Sequence, residues 1–414
     1  MQEVKGFVHD IRIVSNACFV VIRNRDGYFQ LTIKKDNPIF EDAKKLKRES
    51  VILAECEKPQ KQIAKIPELI PKTLEVISQP IDELPIDILE VTQTSLPKRL
   101  ENRPLDLRKR KNLLIFLIQN SIVEEARKFL RENGFIEVFT PCLIGGISEG
   151  GSEVFEVDFF GRPSFLRQDP QLHRELLMLA GFEKIFEIGP SWRAEKSHTT
   201  RHLCEHRGIA VEMSFIKDEY EIIKLEEKLI EAIIKGVNKR FKEIIEKEFK
   251  AKLNFKTPFP IIEFPEVYEI LKKKNIKPTA DLKEKEEKAI WEYSVENFGS
   301  DFFFINKFPF SEKPFYVMKD EKSEYARSTD LMCKDIELSS GGQREHRYEK
   351  IIEQIKEKHL EPETLEWFTK YFKYGAPPHG GFNIGLERLT MALLDLKNIK
   401  EAALFPRDPE RLLP

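Results

Sequence analysis

The feature that most constrains this chain is the stretch QPIDELPIDILEVTQTSLPKRLENRPLD, residues 79–106. Pro80, Pro85, Pro97 and Pro104 recur through it and no regular periodicity survives. Proline fixes φ and lacks an N–H, so neither a helix nor a strand ladder runs through such a segment. It reads as a linker over 80–105 that separates two regions, 1–79 and 106–414. A chain of 414 residues is longer than a usual single domain, so two domains fit the length as well.

Before the break, VKGFVHDIRI, ACFVVIRNRDGYFQLTI, SVILAECEK and TLEVIS alternate in the manner of short strands, with turn chemistry at NRDG and EKPQ. EDAKKLKRES suits one short helix between them. Five or so strands in so short a region predict a small closed β-barrel. After the break, KNLLIFLIQNSIVEEARKFLRENGF has helical spacing and a stop at Gly134. Strands (IFEIG, IAVEMSF, FFFINKFPF, PFYVMK, DIELSSG) then mix with amphipathic helices such as DEYEIIKLEEKLIEAIIKGVNKRFKEIIEKEF. They do not alternate strictly, which predicts an α+β domain: an antiparallel sheet flanked by helices.

Lys and Arg number 68 against 70 Asp and Glu, so any case for a nucleic-acid partner has to be local. Cys18, Cys56, Cys142, Cys204 and Cys333 form no CxxC pair, which fits a reducing compartment and no structural metal. MQEVKGFVHDIR lacks a signal-peptide core, and no run approaches the ~18 apolar residues of a membrane span. A cytoplasmic protein without a membrane partner is expected.

Three stretches carry chemistry. SWRAEKSHTTRHLCEH, Ser191–His206, follows the apolar run FEKIFEIGP. It is either a solvated hairpin or a set of guanidinium forks for a polyphosphate. In YGAPPHGGFNIGLERLTMALL, Gly380, Gly381 and Gly385 permit close backbone approach, with Arg388 one turn into the following helix. The alternative there is a glycine turn capping a core helix, with Arg388 paired to Glu387 or Asp395. In DIELSSGGQREH, Glu337 and Ser340 offer hard oxygens suited to Mg²⁺, and Gly341 and Gly342 let the chain present Gln343 and Arg344; otherwise they are ordinary strand residues. Neither a P-loop nor a GxGxxG fingerprint occurs.

Taken together these stretches resemble the class II aminoacyl-tRNA synthetases, and within them the subgroup for aspartate, asparagine and lysine. FIEVFTPCL, with Pro141, is similar to motif 1, which builds the family's dimer interface; FEIGPSWRAEKSHTTRHLCEHRGIAVEMSF is similar to motif 2 and GGFNIGLERLTMALL to motif 3. The N-terminal barrel resembles the subgroup's anticodon-binding OB-fold. The resemblance implies a homodimer that uses ATP and Mg²⁺ to make an aminoacyl-adenylate. It puts Arg193 on the α-phosphate and the substrate carboxylate, Arg388 on the γ-phosphate, and Glu195 near the adenine amino group. Arg201, His202 and Leu203 fall in the ATP loop, and Glu337 and Ser340 at the Mg²⁺ positions. His206 stands where the family usually stacks a Phe on adenine.

For the amino acid, IGGISEGGSEVF resembles the mobile loop whose Glu153 receives the α-ammonium group. LRQDPQLHRELL resembles the aspartate enzymes' QSPQLYKQ: Gln168 and Gln171 match, Arg174 replaces the lysine that reads the side-chain carboxylate, and Asp169 replaces a serine. The acid that accompanies that lysine is Ala210 in GIAVEM, so Arg174 is expected to take over from the lysine with Asp169 partly replacing the missing acid, while Arg344, the β-carboxylate ligand, is kept and Ser340 borders the same site. Two arginines favour L-aspartate over a neutral amide. The tail ALFPRDPERLLP is similar to the archaeal-type aspartate enzymes, and GGQREHRY drifts toward the asparagine ones. In the barrel, Phe19, Arg23 and Gln30 match residues that read the anticodon, although spacing alone makes Phe19 a core residue. His9 replaces a Trp found where tRNA-Asp alone is charged, which implies tRNA-Asn as a second substrate. The alternatives are an asparaginyl enzyme, a tRNA-independent asparagine synthetase (against which the barrel argues), and a silent RNA-binding paralogue (against which Arg193, Arg388, Glu337 and Ser340 argue). The charged helical segment 218–287 is assigned no chemistry.

Overall fold

In the computed structural model, residues 2–60, 62, 64–89, 91–146, 153–196 and 199–413 are described. Strands β1 (Gln2–Val14), β2 (Ala17–Asn24), β3 (Gly27–Lys34), β4 (Val51–Glu57), β5 (Glu68–Pro71) and β6 (Glu75–Ser78) form one sheet in the order β1-β2-β3-β5-β4-β6. A further β1–β4 pairing closes five of them into a barrel and leaves β6 outside the ring, on β4. Val4, Val8, Cys18, Val20, Ile22, Leu31, Ile33, Ile52, Ala54 and Cys56 point inward and pack with Phe40 and Ala43 of the short helix Phe40–Lys44. The β2–β3 turn is set by Asn24, whose Oδ1 accepts from the Asp26 and Gly27 amides at 2.9 and 3.2 Å. The predicted barrel is present. β5 was invisible in the sequence because its four residues lie among prolines, and the predicted helical region 41–50 is helical only as far as Lys44, in the helix Phe40–Lys44.

The chain divides into two compact units, Met1–Leu114 and Ile115–Pro414. The larger is built on an eight-stranded sheet. In chain order its strands are β7 (Ile136–Glu137), then, after a small separate sheet of β8 (Leu143–Ile144), β9 (Glu156–Phe159) and β10 (Arg162–Leu166), β11 (Lys184–Trp192), β12 (Glu205–Ser214), β13 (Ile261–Glu263), β14 (Phe302–Asn306), β15 (Ser328–Cys333), β16 (Ile336–Gln343) and β17 (His379–Gly385). Spatial order is β13-β14-β15-β16-β17-β12-β11-β7, antiparallel throughout except for the two edge pairs. The long helix Glu219–Ile244 packs on β15, β16 and β17, and Leu386–Leu394 packs on β12, β16 and β17. This is the antiparallel, helix-flanked sheet expected from the mixed order of elements. The helix Arg110–Glu132 ends as predicted: Gly134 sits at φ +81° and the Phe135 amide reaches back to the Leu130 carbonyl at 3.0 Å. PFYVMK makes only isolated bridges, and its Phe315, Tyr316 and Val317 are core residues instead.

Candidate active site

A cavity of about 440 Å³ lies over β12, β16 and β17. Its floor needs glycine at two points. A Cβ on Gly208 would fall 2.1 Å from Asn383 Oδ1, and one on Gly341 would fall 2.6 Å from the Gly381 carbonyl oxygen. Residues three apart on a regular strand point to opposite faces. Glu337 and Ser340 nevertheless both line the cavity, because the β15–β16 ladder slips: Leu331 opposes Ser339, its neighbour Met332 opposes Glu337, and Leu338 is the extra residue.

At one end the cavity is lined by Arg193, Glu195, Arg201, His202, Leu203, His206, Glu337 and Arg388, all the residues that the sequence assigned to the nucleotide. Arg193 follows directly on β11 and its Nη1 lies 3.4 Å from Glu195 Oε1. Arg388, in the first turn of its helix, donates to the Glu337 carbonyl at 2.9 Å and lies 3.4 Å from the Glu337 carboxylate. Burial, reinforced by the charges of Arg193 and Arg388, pushes the His206 imidazole down to about 4, so its ring is neutral at physiological pH. Arg201 is held by Glu287 at 3.0 Å and by Asp335 at 2.6 Å. Burial and the neighbouring Glu337 push Glu287 up to about 7, against the pull of Arg201 and Arg388.

At the other end, Gln168, Asp169, Gln171, Ser340 and Arg344 line the cavity. Arg344 is buried; its Nε donates to Glu212 Oε1 at 3.1 Å and its Nη2 to Gln171 Oε1 and the Gly381 carbonyl, each at 3.2 Å. Glu212 and Glu175 both accept from Gln171 Nε2, at 3.0 and 3.1 Å, and Glu175 in turn meets His379 at 3.5 Å. Arg174 differs from expectation. It sits one layer behind the wall, its Nη1 and Nη2 closed on Asp169 at 2.9 and 2.5 Å and Nη2 also on Gln171 at 2.8 Å. Glu153 contributes its carbonyl, which accepts from the Ala194 amide at 2.9 Å and from Gln168 Nε2 at 3.4 Å. The middle of its mobile-loop motif, residues 147–152, lies outside the described residues.

Several cavity residues escaped the sequence. Asp330, across the ladder from Ser340 and hydrogen-bonded to it, is gripped by Lys313 Nζ at 2.8 and 3.0 Å. Burial raises its pKa, which Lys313 opposes and Glu337 reinforces. STDLMC, the strand that carries it, is buried on both faces and shows no alternation to betray it. Glu212, which does not line the cavity but holds Arg344 from behind it, sits in the apolar-looking β12, and the lining residues Asp281, Leu282 and Glu287 come from the segment to which no chemistry was assigned. Two carboxylates and a hydroxyl on one face fit a hard divalent cation. Among the described residues no cluster of three or more His, Cys, Asp or Glu could hold a metal, so such an ion would complete its shell with phosphate and water.

In the barrel, Phe19 alternates with buried Cys18 and Val20 and so faces outward, with the Arg12 guanidinium 4.9 Å from its ring centre. It is not a core residue. Gln30 lies beside it, 3.3 Å from Thr32. His9 is the extra residue of a bulge in β1, with its Nδ1 3.0 Å from Arg23 and its ring against Tyr28 at 4.9 Å. Arg23 is buried and its Nη2 donates to both Glu49 carboxylate oxygens, at 3.0 and 2.9 Å, which leaves His9 as the more accessible of the two. In the larger unit, Pro141 sits in an exposed apolar strip with Ile136, Leu143 and Phe139, the last 82 % exposed.

An antiparallel sheet carrying paired arginines for a polyphosphate at one end of a cavity and a closed polar pocket at the other is the architecture of an amino-acid-activating ligase. The family model for tRNA synthetases class II (D, K and N) matches residues 95–409, and the chain belongs to that family. It is thus an aminoacyl-tRNA synthetase, an enzyme that uses ATP, an amino acid and tRNA. The Aspartate–tRNA(Asp) ligase of Pyrococcus horikoshii is 44 % identical over 100 % of this chain and 96 % of its own length. The Aspartate–tRNA(Asp/Asn) ligase of Archaeoglobus fulgidus is 39 % identical over 99 % and 95 %. Among solved structures, the asparaginyl-tRNA synthetase of Pyrococcus horikoshii complexed with asparaginyl-adenylate has a TM-score of 0.92 at 33 % identity, covering 100 % of this chain and 96 % of the other. Among the described residues, no helix is long and apolar enough to cross a membrane.

Proposed function

We propose that this chain is an aspartate–tRNA ligase: it activates L-aspartate with ATP to aspartyl-adenylate and pyrophosphate, then passes the aspartyl group to the 3′ end of tRNA-Asp and also of tRNA-Asn. The observation that carries this is that Arg193, Arg388 and Arg344 share one cavity. In the first step a carboxylate oxygen of aspartate attacks the α-phosphorus and the bond to pyrophosphate breaks. Two anions meet, so the protein's task is positioning and positive charge. Arg193 holds the α-phosphate against the substrate carboxylate and Arg388 holds the γ-phosphate, with Arg201, His202 and Leu203 along the outer phosphates. Glu195 takes the adenine amino group, and the neutral ring of His206 stacks on the base with Arg388 opposite. Arg344 reads the β-carboxylate with Gln168, Gln171 and Ser340 around it, Arg174 acts from behind through Asp169, and Glu153 serves the ammonium group. Glu337, Ser340 and Asp330 would hold Mg²⁺, which when bound would neutralise phosphate charge.

Residues 1–79 serve as the anticodon module, 80–105 as the hinge and 106–414 as the catalytic domain. The outward ring of Phe19, with Gln30, His9 and the Arg23 that braces it, supports reading of single-stranded bases. The exposed strip around Phe139 and Pro141 supports a homodimer. The enzyme works in the cytoplasm. Asparagine activation is the second reading, favoured by the acceptor that Asp169 places on the wall. Side-by-side ATP–pyrophosphate exchange with the two amino acids tests both: aspartate-dependent exchange is expected to dominate, asparagine-dominant exchange selects the second reading, and exchange with neither overturns both. Aminoacylation of purified tRNA-Asn tests the wider tRNA range.

A further inference from the structure

We propose that Asp169 is a specificity-determining residue, whose carboxylate occupies from the cavity side the guanidinium fork of Arg174 and so leaves the substrate side chain to Arg344. The inference rests on the aspartate reading above. Asp169 lines the cavity and Arg174 does not. The Arg174 side chain is 1 % exposed, and both its Nη atoms are bound to Asp169, which also receives Asn383 Nδ2 at 3.3 Å. Behind them lies a void of about 10 Å³ bordered by Arg174, Gly208, Ala210 and Asn383, room for one water at most. Arg174 Nε and Asn383 Oδ1 have no hydrogen-bond partner there. The alanine at 210 thus offers Arg174 Nε no acceptor from the rear, and the carboxylate bonded to the guanidinium is the one in front, Asp169. Burial alone would raise the Asp169 carboxyl, but Arg174, with Arg344 and Arg167 further off, holds it below the ordinary aspartate range, so it stays ionised.

A substrate carboxylate approaching this wall meets a like charge, whereas an amide N–H meets an acceptor. Asp169 therefore weakens aspartate binding and compresses the preference for aspartate over asparagine. Two variants test this by KM and kcat for both amino acids in pyrophosphate exchange. D169N removes the charge and keeps the shape. D169S with A210D moves the counter-charge behind the wall, so that Arg174 remains paired if D169N does not fold. In either one, KM for aspartate is expected to fall about tenfold, the order of one like-charge repulsion in a half-buried site, with KM for asparagine unchanged or higher and kcat nearly unchanged. A rise in the aspartate KM in the folded variants would show that Asp169 only orients Arg174 for a direct grip, and equal changes for both amino acids would show loss of structure without specificity; each result overturns the proposal. Wild-type protein that exchanges with neither amino acid fails at the functional reading instead, which separates the two.

Discussion

The two ends of the cavity hold their cations in opposite ways. At the nucleotide end the Arg193 side chain is 49 % exposed and that of Arg388 26 % exposed, each 3.4 Å from a carboxylate. At the amino-acid end Arg344 is 5 % exposed, 3.1 Å from a Glu212 that is wholly buried, and Arg174 is more buried still. Loose, solvated pairs exchange their partner for phosphate at small cost. Buried pairs cannot be rearranged cheaply, so a ligand must fit the donors already fixed there or leave them unsatisfied. One end is thus suited to gripping and releasing a common nucleotide, the other to rejecting near-isosteres.

The sharpest way to break this comparison is to truncate one arginine at each end. R344A leaves Glu212 buried without its cation, and a loss of about 3–5 kcal/mol in unfolding free energy is expected, together with loss of amino-acid-dependent exchange. R193A is expected to lower kcat about 10³-fold, as removal of a group that stabilises transition-state charge does, while stability changes by less than about 1 kcal/mol because the side chain is half exposed. Denaturant titrations beside exchange rates separate the cases. An R344A protein as stable as wild type would mean that the amino-acid end is no more pre-paired than the other.

A buried acid without a cation sharpens the contrast from below the sheet. Glu226, on the helix Glu219–Ile244, hydrogen-bonds Ser339, and its Oε2 has no partner. Burial pushes its carboxyl from 4.5 up to about 8. Between those two values the folded chain keeps a proton that the unfolded chain releases, so this group makes stability fall as pH rises from 4.5 to 8. E226Q is expected to flatten that slope and to exceed wild type at pH 8 by on the order of 2 kcal/mol, read by thermal melts across the pH range.

The same contrast explains what was legible in the sequence. The nucleotide end is written on contiguous loops: Arg193 to His206 lie within one hairpin, and Arg388 follows its glycines directly, so side chains that the fold brings together are already close in the chain. The amino-acid end is assembled across the sheet. Gln171, Arg174 and Arg344 could be named from their motifs, and Asp169 as a partner of Arg174, but that the pair closes with Arg174 behind the cavity wall depends on a rotamer that no spacing encodes. Glu212 and Asp330 sit in strands buried on both faces, where an acid among apolar residues looks incidental. The bulge at Leu338 that turns Glu337 to the same side as Ser340 has no glycine or proline to announce it. Glu287 joins the site only because its helix, Glu284–Phe298, packs against β14 and brings its first turn to Arg201.

Glu287 also supplies the smallest and most diagnostic effect. With Asp335 and Glu284 it surrounds Arg201 at 2.6–3.4 Å, so these carboxylates form a latch that competes with the outer phosphates for that arginine. R201A leaves those carboxylates facing the phosphates, and KM for ATP is expected to rise about tenfold, the order of one lost charge contact at a partly screened site. E287Q removes the competitor instead and is expected to lower KM for ATP about threefold, on the same scale. Because Glu287 ionises near pH 7, the wild-type KM for ATP is expected to climb as pH rises through that value, and the climb should vanish in E287Q. If R201A and E287Q shift KM in the same direction, the latch is structural, and the nucleotide end is no more exchangeable than the pocket that reads the amino acid.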